Sequence, residues 1–198
     1  MSPLDLLRDA VARTGAVTLD RPATGLGHDD ADDVAGTIAT DSAVGFDPFP
    51  LLRAVHAAGA RVVVIGQVAG ILHGSVELTG DLDLLWDGSP AQAPALVAAF
   101  SSVGASVVDD DLRPVALAPA AFALPKVQFS SVSASGDLCT PALPWGSLDV
   151  GSFLERALSV SDVDGLVVHY LRRDDLVLMR RAVGRPKDIR RAEELERR

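Results

Sequence analysis

The sequence predicts an α+β or small α/β domain, and three observations carry that reading. Segments of helical periodicity are mixed with only a few short strand-like runs. "RVVVIG", Arg61 to Gly66, is a continuous β-branched run, the pattern of a strand buried on both faces. Asp164-Gly165 separates two further β-rich runs, a strong hairpin signal. With 198 residues, 48% of them hydrophobic, the chain can build one sizeable core.

Taken in order, Pro3 to Arg13 reads as a short amphipathic helix with Leu4, Leu7, Ala10 and Val11 on one face. Residues 24–45 are rich in Gly, Asp, Thr and Ser and read as a long loop. The division expected is therefore an N-terminal helix and acidic segment over 1–45, then an organised domain over 46–198. "DPFPLLRAVHAAGA" is helical, closed by Gly59. After the Arg61 strand comes a short helix, Val68 to His73, with Gly74 suited to its left-handed end. "DLDLLW" is the next strand, and "SPAQAPALVAAFSSVGA" a helix entered through Ser89 and Pro90. "SVVDDDLRPVAL" and "PKVQFSSVS" read as strands, and "ASGDLCTPALPWG" as a turn or strand end. A short helix at "SFLERAL", the Asp164-Gly165 hairpin and two closing helices complete the chain. The first of these two ends at Gly184, and the second starts at Pro186.

Composition excludes several classes. A single cysteine, Cys139, rules out an internal disulfide framework and a cysteine-rich zinc site. His73 and His169 read as packing or edge residues. No apolar run approaches the roughly 20 residues of a membrane span, and the N-terminus carries acids where a signal peptide would not. The expectation is a soluble, cytoplasmic protein without a membrane partner. A formal charge of −9 disfavours non-specific binding to duplex DNA. The charge is uneven: residues 171–198 hold ten Lys/Arg against six acids, a balance of +4, which leaves −13 for the rest.

Chemistry concentrates in "VVVIGQVAGILHGSVELTGDLDLLW". On a strand, Asp81 and Asp83 point to the same face, about 6–7 Å apart, with Leu82 and Leu84 anchoring the other. Two carboxylates side by side repel, and a divalent cation removes that repulsion. Mg²⁺ takes hard oxygen ligands, commonly one or two carboxylates completed by phosphate oxygens. Upstream, Gly66 and Gln67 stand at a strand-to-helix turn where backbone N–H groups can receive phosphate, and Gly66 permits close approach. The "HDDADD" run, His28 to Asp33, reads as a solvated acidic loop, and so does Asp109-Asp110-Asp111. Arg185 and Lys187 open the last helix, where the helix dipole disfavours cations. A bound phosphate or RNA would offset this, and the alternative is a solvated helix with pairs such as Arg190–Glu194.

These residues resemble the core motif of the polymerase-β-like nucleotidyltransferase superfamily: a glycine turn, a short helix, then D-x-D on the next strand. The "HG" followed by "T-x-D-x-D" is similar to minimal bacterial nucleotidyltransferase-like proteins, which include type IV toxin–antitoxin toxins. The closing "RRDDLVLMRRAVGRPKDIRRAEEL" is similar to their basic R-x-K-D helix. The resemblance runs from Phe46 to the end. It implies a small mixed sheet flanked by helices, with further helices at the C-terminus. It also implies Mg²⁺-dependent transfer of a nucleoside monophosphate from an NTP to a hydroxyl on RNA, protein or a small molecule. A degenerate binding or regulatory module with an antitoxin partner is the alternative. Gly66 and Gln67 would hold phosphate, Asp81 and Asp83 the metal. Thr79 would position the D-x-D strand or a phosphate, and Arg185 and Lys187 would face nucleotide or acceptor. Three positions depart from the pattern. Gln67 replaces a small residue, and Glu77 replaces a basic or neutral one. The third-acid slot, aligned on Gly136, is Cys139, with Asp137 one pleat away as the candidate metal ligand or general base.

Overall fold

The computed structural model describes residues 1–27 and 37–198; the "HDDADD" run lies outside the described residues. The architecture is α+β. Among the described residues there are seven α-helices and one eight-stranded mixed sheet of order β4-β3-β5-β6-β2-β1-β8-β7.

The sheet grows from its most apolar strand. β1, Val62–Val64, is buried throughout and pairs antiparallel with β2, Leu84–Trp86. On the outer side of β1 lies the hairpin of β7, Leu158–Ser161, and β8, Val167–Tyr170; β8 runs parallel to β1. Asp162 closes that hairpin. Its Oδ1 accepts from the Asp164 and Leu166 N–H groups at 2.9 Å, and its Oδ2 pairs with Arg8 and Arg53. On the outer side of β2 lies β6, Ser135–Cys139, also parallel. Beyond it come β5, Lys126–Ser130, then β3, Ser106–Val108, and β4, Pro114–Val115, all antiparallel. Residues 109–113 form the β3–β4 turn, where Asp109 accepts from the N–H groups of Asp111 and Arg113 at 2.9 Å.

Helices cover the sheet. α1, Pro3–Thr18, packs on α3, Gly66–Leu72, and α2, Phe49–Ala57, packs on α4, Ala93–Ser102. α5 is Val150–Glu155; α6, Arg173–Val183, and α7, Pro186–Glu196, pack on each other, and α6 also touches α3. Trp86, Phe100 and Phe122 are fully buried and meet edge-on, with Phe129 joining Phe100. Truncating one such ring to Ala costs about 3–5 kcal/mol. No helix among the described residues is long and apolar enough to cross a membrane.

Several elements differ from the sequence reading. α4 starts at Ala93 with Gln92 as its N-cap instead of through Ser89 and Pro90, and α3 starts at Gly66 instead of Val68. α1 runs to Thr18 instead of Arg13, because Thr14 and Thr18 continue its buried stripe and satisfy their hydroxyls internally. Thr18 Oγ1 donates to Thr14 O at 2.8 Å. Leu4 and Leu7 share the core of the remaining chain, so this helix is continuous with the packing of residues 46–198. The ladder of β2 begins at Leu84: Asp81 makes only an isolated bridge to Ser135, so the two aspartates lie on the approach to the strand. Residues 135–139, read as a turn or strand end, form the central strand β6. Gly136 hides that strand from propensity but allows it, because a Cβ there would overlap the backbone of Leu82.

Candidate functional site

The carboxyl end of β1, the start of α3 and the approach to β2 meet the paired helices α6 and α7 around a cavity of about 330 Å³. Gly66, Gln67, Thr79, Asp81, Asp83, Asp137, Arg185 and Lys187 all line it. Residues separated by more than 100 positions are thereby brought to one place.

The Gly66 turn is set by a close approach. Gly66 has φ +62°, and a Cβ there would overlap the carboxylate of Asp83, with the Asp83 Cγ 2.8 Å away. Backbone and carboxylate can share this space only because the residue is glycine. Asp83 is fixed from behind, since the Ile65 N–H donates to its carbonyl at 2.9 Å. Thr79 is buried, and its Oγ1 accepts from the Asp81 N–H at 3.2 Å, which holds the turn before the aspartates.

Register decides the third acid. Leu84 lies opposite Leu138 and Leu85 opposite Cys139 in the parallel β2–β6 pair, while Asp81 bridges to Ser135. One step back from Leu84, Asp83 is therefore the neighbour of Asp137, and opposed residues of a parallel pair project to the same face. Cys139 is one pleat further on, against Leu85. Its burial, together with the charges of Asp137 and Asp83, pushes the thiol far above its ordinary range and keeps it protonated. Among the described residues, no three of His, Cys, Asp and Glu converge closely enough to hold a metal by themselves. Carboxylate donors for a hard cation are Asp81 and Asp83, with Asp137 adjacent.

Two polar groups that sequence reasoning missed border Asp137. Lys126 Nζ stands 3.8 Å from Asp137 Oδ2 and 2.9 Å from Asp110 Oδ1. Burial works against the Lys126 ammonium, but its hydrogen bond to Asp110 and the charges of Asp137 and Asp110 outweigh it and raise its pKa. Asp110 comes from the β3–β4 turn, so that acidic triplet contributes one member to the cleft. A lone lysine heading an alternating strand was the available signal for Lys126.

The opposite wall is cationic. Arg180 is 4% exposed and donates to Gly66 O at 3.1 Å, Gln67 Oε1 at 2.8 Å and Arg191 O at 3.0 Å. Burial, then the nearby Arg191 charge, lowers its pKa to about 10, so it remains a cation at neutral pH. Its signal was an arginine inside the apolar stripe Leu176, Val177, Met179 of α6. Gln67 serves as a brace: its amide also donates to Ser75 Oγ at 3.0 Å and Glu77 O at 2.8 Å. Glu77 balances Arg191, whose Nη2 lies 2.6 Å away. Arg185 Nε pairs with Asp188 Oδ2 at 2.6 Å, while Lys187 is buried at the start of α7. The Arg190–Glu194 pair is replaced: Arg190 turns toward Glu77 at 3.8 Å, and Glu194 accepts from Ser75 and pairs with Arg198. His73 packs on Tyr170 with its Nε2 2.8 Å from Leu171 O, a packing role.

The result is a cleft of mixed charge: Asp81, Asp83 and Asp137 with Lys126 on the sheet side, and Arg180, Arg185, Lys187 and Arg191 with Asp188 on the helix side. Such a cleft accommodates an anion chain on one wall and cations bound to it on the other. No family model matches the chain, and a search of curated proteins finds no match.

Proposed function

We propose that the chain has a nucleotidyltransferase-like fold of the polymerase-β-like superfamily. Its reaction is the Mg²⁺-dependent transfer of a nucleoside monophosphate from an NTP to a hydroxyl on RNA, protein or a small molecule. The observation that carries this reading is the register that sets Asp137 beside Asp83, on the cavity that also holds Asp81 and the Gly66 turn. The donor set fits Mg²⁺: every candidate ligand is a carboxylate oxygen, and one or two carboxylates suffice when phosphate oxygens complete the shell. Asp81 and Asp83 would hold the ion, which when bound supplies charge neutralisation at the transferred phosphoryl group.

The remaining work falls to side chains. Arg185 and Lys187 bind the anionic phosphates from the helix wall. Asp137 takes the proton of the acceptor hydroxyl; the oxygen then bonds to the α-phosphorus as the bond to the β-phosphate oxygen breaks, releasing pyrophosphate. Arg180 positions the Gly66 turn through its carbonyl and does not itself meet substrate in this scheme.

One observation favours a second reading. Lys126 already engages the candidate base Asp137, which suits a module that binds nucleotide without turnover, as a regulatory partner to an antitoxin. Labelled NTPs incubated with cell RNA and protein separate the two. Label transfer that vanishes in Asp81→Asn/Asp83→Asn supports the enzyme. Nucleotide binding by calorimetry without transfer supports the module, and absence of any binding refutes both.

A further inference from the structure

A second and larger cavity, of about 520 Å³, lies at the other end of β1, between α5 and the sheet. Arg61 lines it, and the extended chain from Arg61 to Gly66 spans roughly 16 Å. Its floor is the buried pair Val62 and Val63, and Leu154 and Pro141 add carbon at the sides. Gly151 and Ala157 are too small to fill it. An apolar floor with a few polar groups at the rim is the usual make-up of a small-molecule site. Two opposite charges stand on this rim without meeting: among the described residues, neither the Arg61 guanidinium nor the Glu155 carboxylate has a hydrogen bond or an ion pair. Their neighbours are already engaged. Asp87 stands opposite Arg61 in the register that pairs Val62 with Trp86, but its oxygens accept from the Ser89 N–H at 2.8 Å and Gln92 Nε2 at 3.0 Å. Gln92 in turn accepts from the Arg61 backbone N–H at 2.9 Å, which fixes the base of the arginine. Arg156, next to Glu155, turns away to Asp175. His169 shares the cavity, and burial, then the Arg61 and His56 charges, hold its pKa below the ordinary value, so it is neutral at pH 7.

We infer that this cavity binds a zwitterionic α-amino acid with an apolar side chain. The ligand carboxylate pairs with Arg61, whose planar fork suits it, and the ligand ammonium pairs with Glu155. The side chain lies on Val62, Val63 and Leu154. A simple anion drawn to Arg61 would meet the charges of Glu155 and Asp87, and a simple cation drawn to Glu155 would meet Arg61. A ligand carrying both charges satisfies both open groups, and the apolar floor then rewards a carbon side chain. The inference is independent of the nucleotidyltransferase reading, since the two cavities share no lining residue.

Calorimetry on the full chain at pH 7 compares leucine with three relatives. N-acetylleucine lacks the ammonium, leucinamide lacks the carboxylate, and glycine lacks the side chain. The expected result is that leucine binds and each of the others binds at least about tenfold more weakly. Each variant should then erase the matching distinction. Glu155→Gln should weaken leucine about tenfold and leave N-acetylleucine unchanged; Arg61→Met should weaken leucine as much and leave leucinamide unchanged. Arg61 and Glu155 are both exposed, so the two variants should keep the urea midpoint of the unaltered chain. Should either fail to fold, the analogue series on the unaltered chain decides the matter alone. Equal binding of leucine and either analogue overturns the zwitterion site, and so does the absence of any heat with leucine. Leucine binding that is unchanged in both variants places the amino acid elsewhere and overturns it too.

Discussion

Gly66→Ala is the sharpest probe of how this site is built. Two separate effects act at that position. The left-handed φ of +62° costs an L-residue about 1–2 kcal/mol. The new methyl would also overlap the Asp83 carboxylate and stand 3.0 Å from the Asp83 Cβ, which is no flexible tip. Asp83 cannot swing aside freely, because its carbonyl is bound to Ile65 N–H and its strand begins one residue later. Overpacking of this kind adds about 1–3 kcal/mol. The lower unfolded-chain entropy of Ala returns about 0.4–1 kcal/mol, so the net loss is about 1–5 kcal/mol, centred near 3. Gly59→Ala is the control, since Gly59 has φ +70° and nothing within 4 Å of the added methyl. It carries the backbone strain alone and should lose about 1 kcal/mol or less. Urea unfolding followed by circular dichroism measures both, at matched m-values. Equal losses for the two variants would refute the claim that Asp83 occupies the space above Gly66.

Three further outcomes follow from the same geometry. Arg180→Met removes the donor to Gly66 O, Gln67 Oε1 and Arg191 O, and should destabilise by about 3 kcal/mol in urea unfolding; Arg180→Lys, which cannot span three acceptors, should recover less than half. Lys126→Met takes a cation from beside Asp137 and Asp110, so calorimetric Mg²⁺ affinity should rise, and an unchanged or weaker affinity would argue against metal binding on that wall. Burial lowers the His73 pKa, so below pH 6.5 the unfolded chain takes up a proton that the folded chain resists; stability should fall as pH drops from 6.5 towards the folded value, and His73→Gln should flatten that part of the urea-midpoint profile.

Elements whose burial is written in their own residues were legible. β1 is three consecutive valines, and the hairpin around Asp164-Gly165 carries its turn chemistry locally. Strand β6 was not, because "SGDLC" has low strand propensity and exists through pairing on both sides with β5 and β2. The same long-range pairing fixes register. A sequence can place Asp137 and Cys139 on one face of a strand, but only the Leu84–Leu138 pairing says which of them stands beside Asp83. The buried cations follow a similar logic. Arg180 breaks the apolar stripe of α6 visibly, yet its meaning depends on Gly66 and Gln67, more than 100 residues away in the chain. In α1 the reverse occurred: Thr14 and Thr18 look like the end of a stripe and are in fact its buried continuation.

The two departures near the turn belong to one arrangement. Gln67 is bulkier than the small residue of the pattern it resembles, but its amide leaves the turn and spans Arg180, Ser75 and the Glu77 carbonyl. Glu77 then supplies the carboxylate that buried Arg191 requires, and Arg191 in turn offers its carbonyl to Arg180. Gly70 completes the set, since a Cβ there would stand 2.6 Å from Arg180 Nη2. Each of these residues is costly alone: a buried guanidinium without acceptors, a buried amide without partners, a helix glycine without a reason. Together they satisfy one another and bolt α6 and α7 to the start of α3. The glutamine and the glutamate are thus better understood as supports for the helix wall than as damage to the turn, and that wall is what brings Arg185 and Lys187 opposite the aspartates.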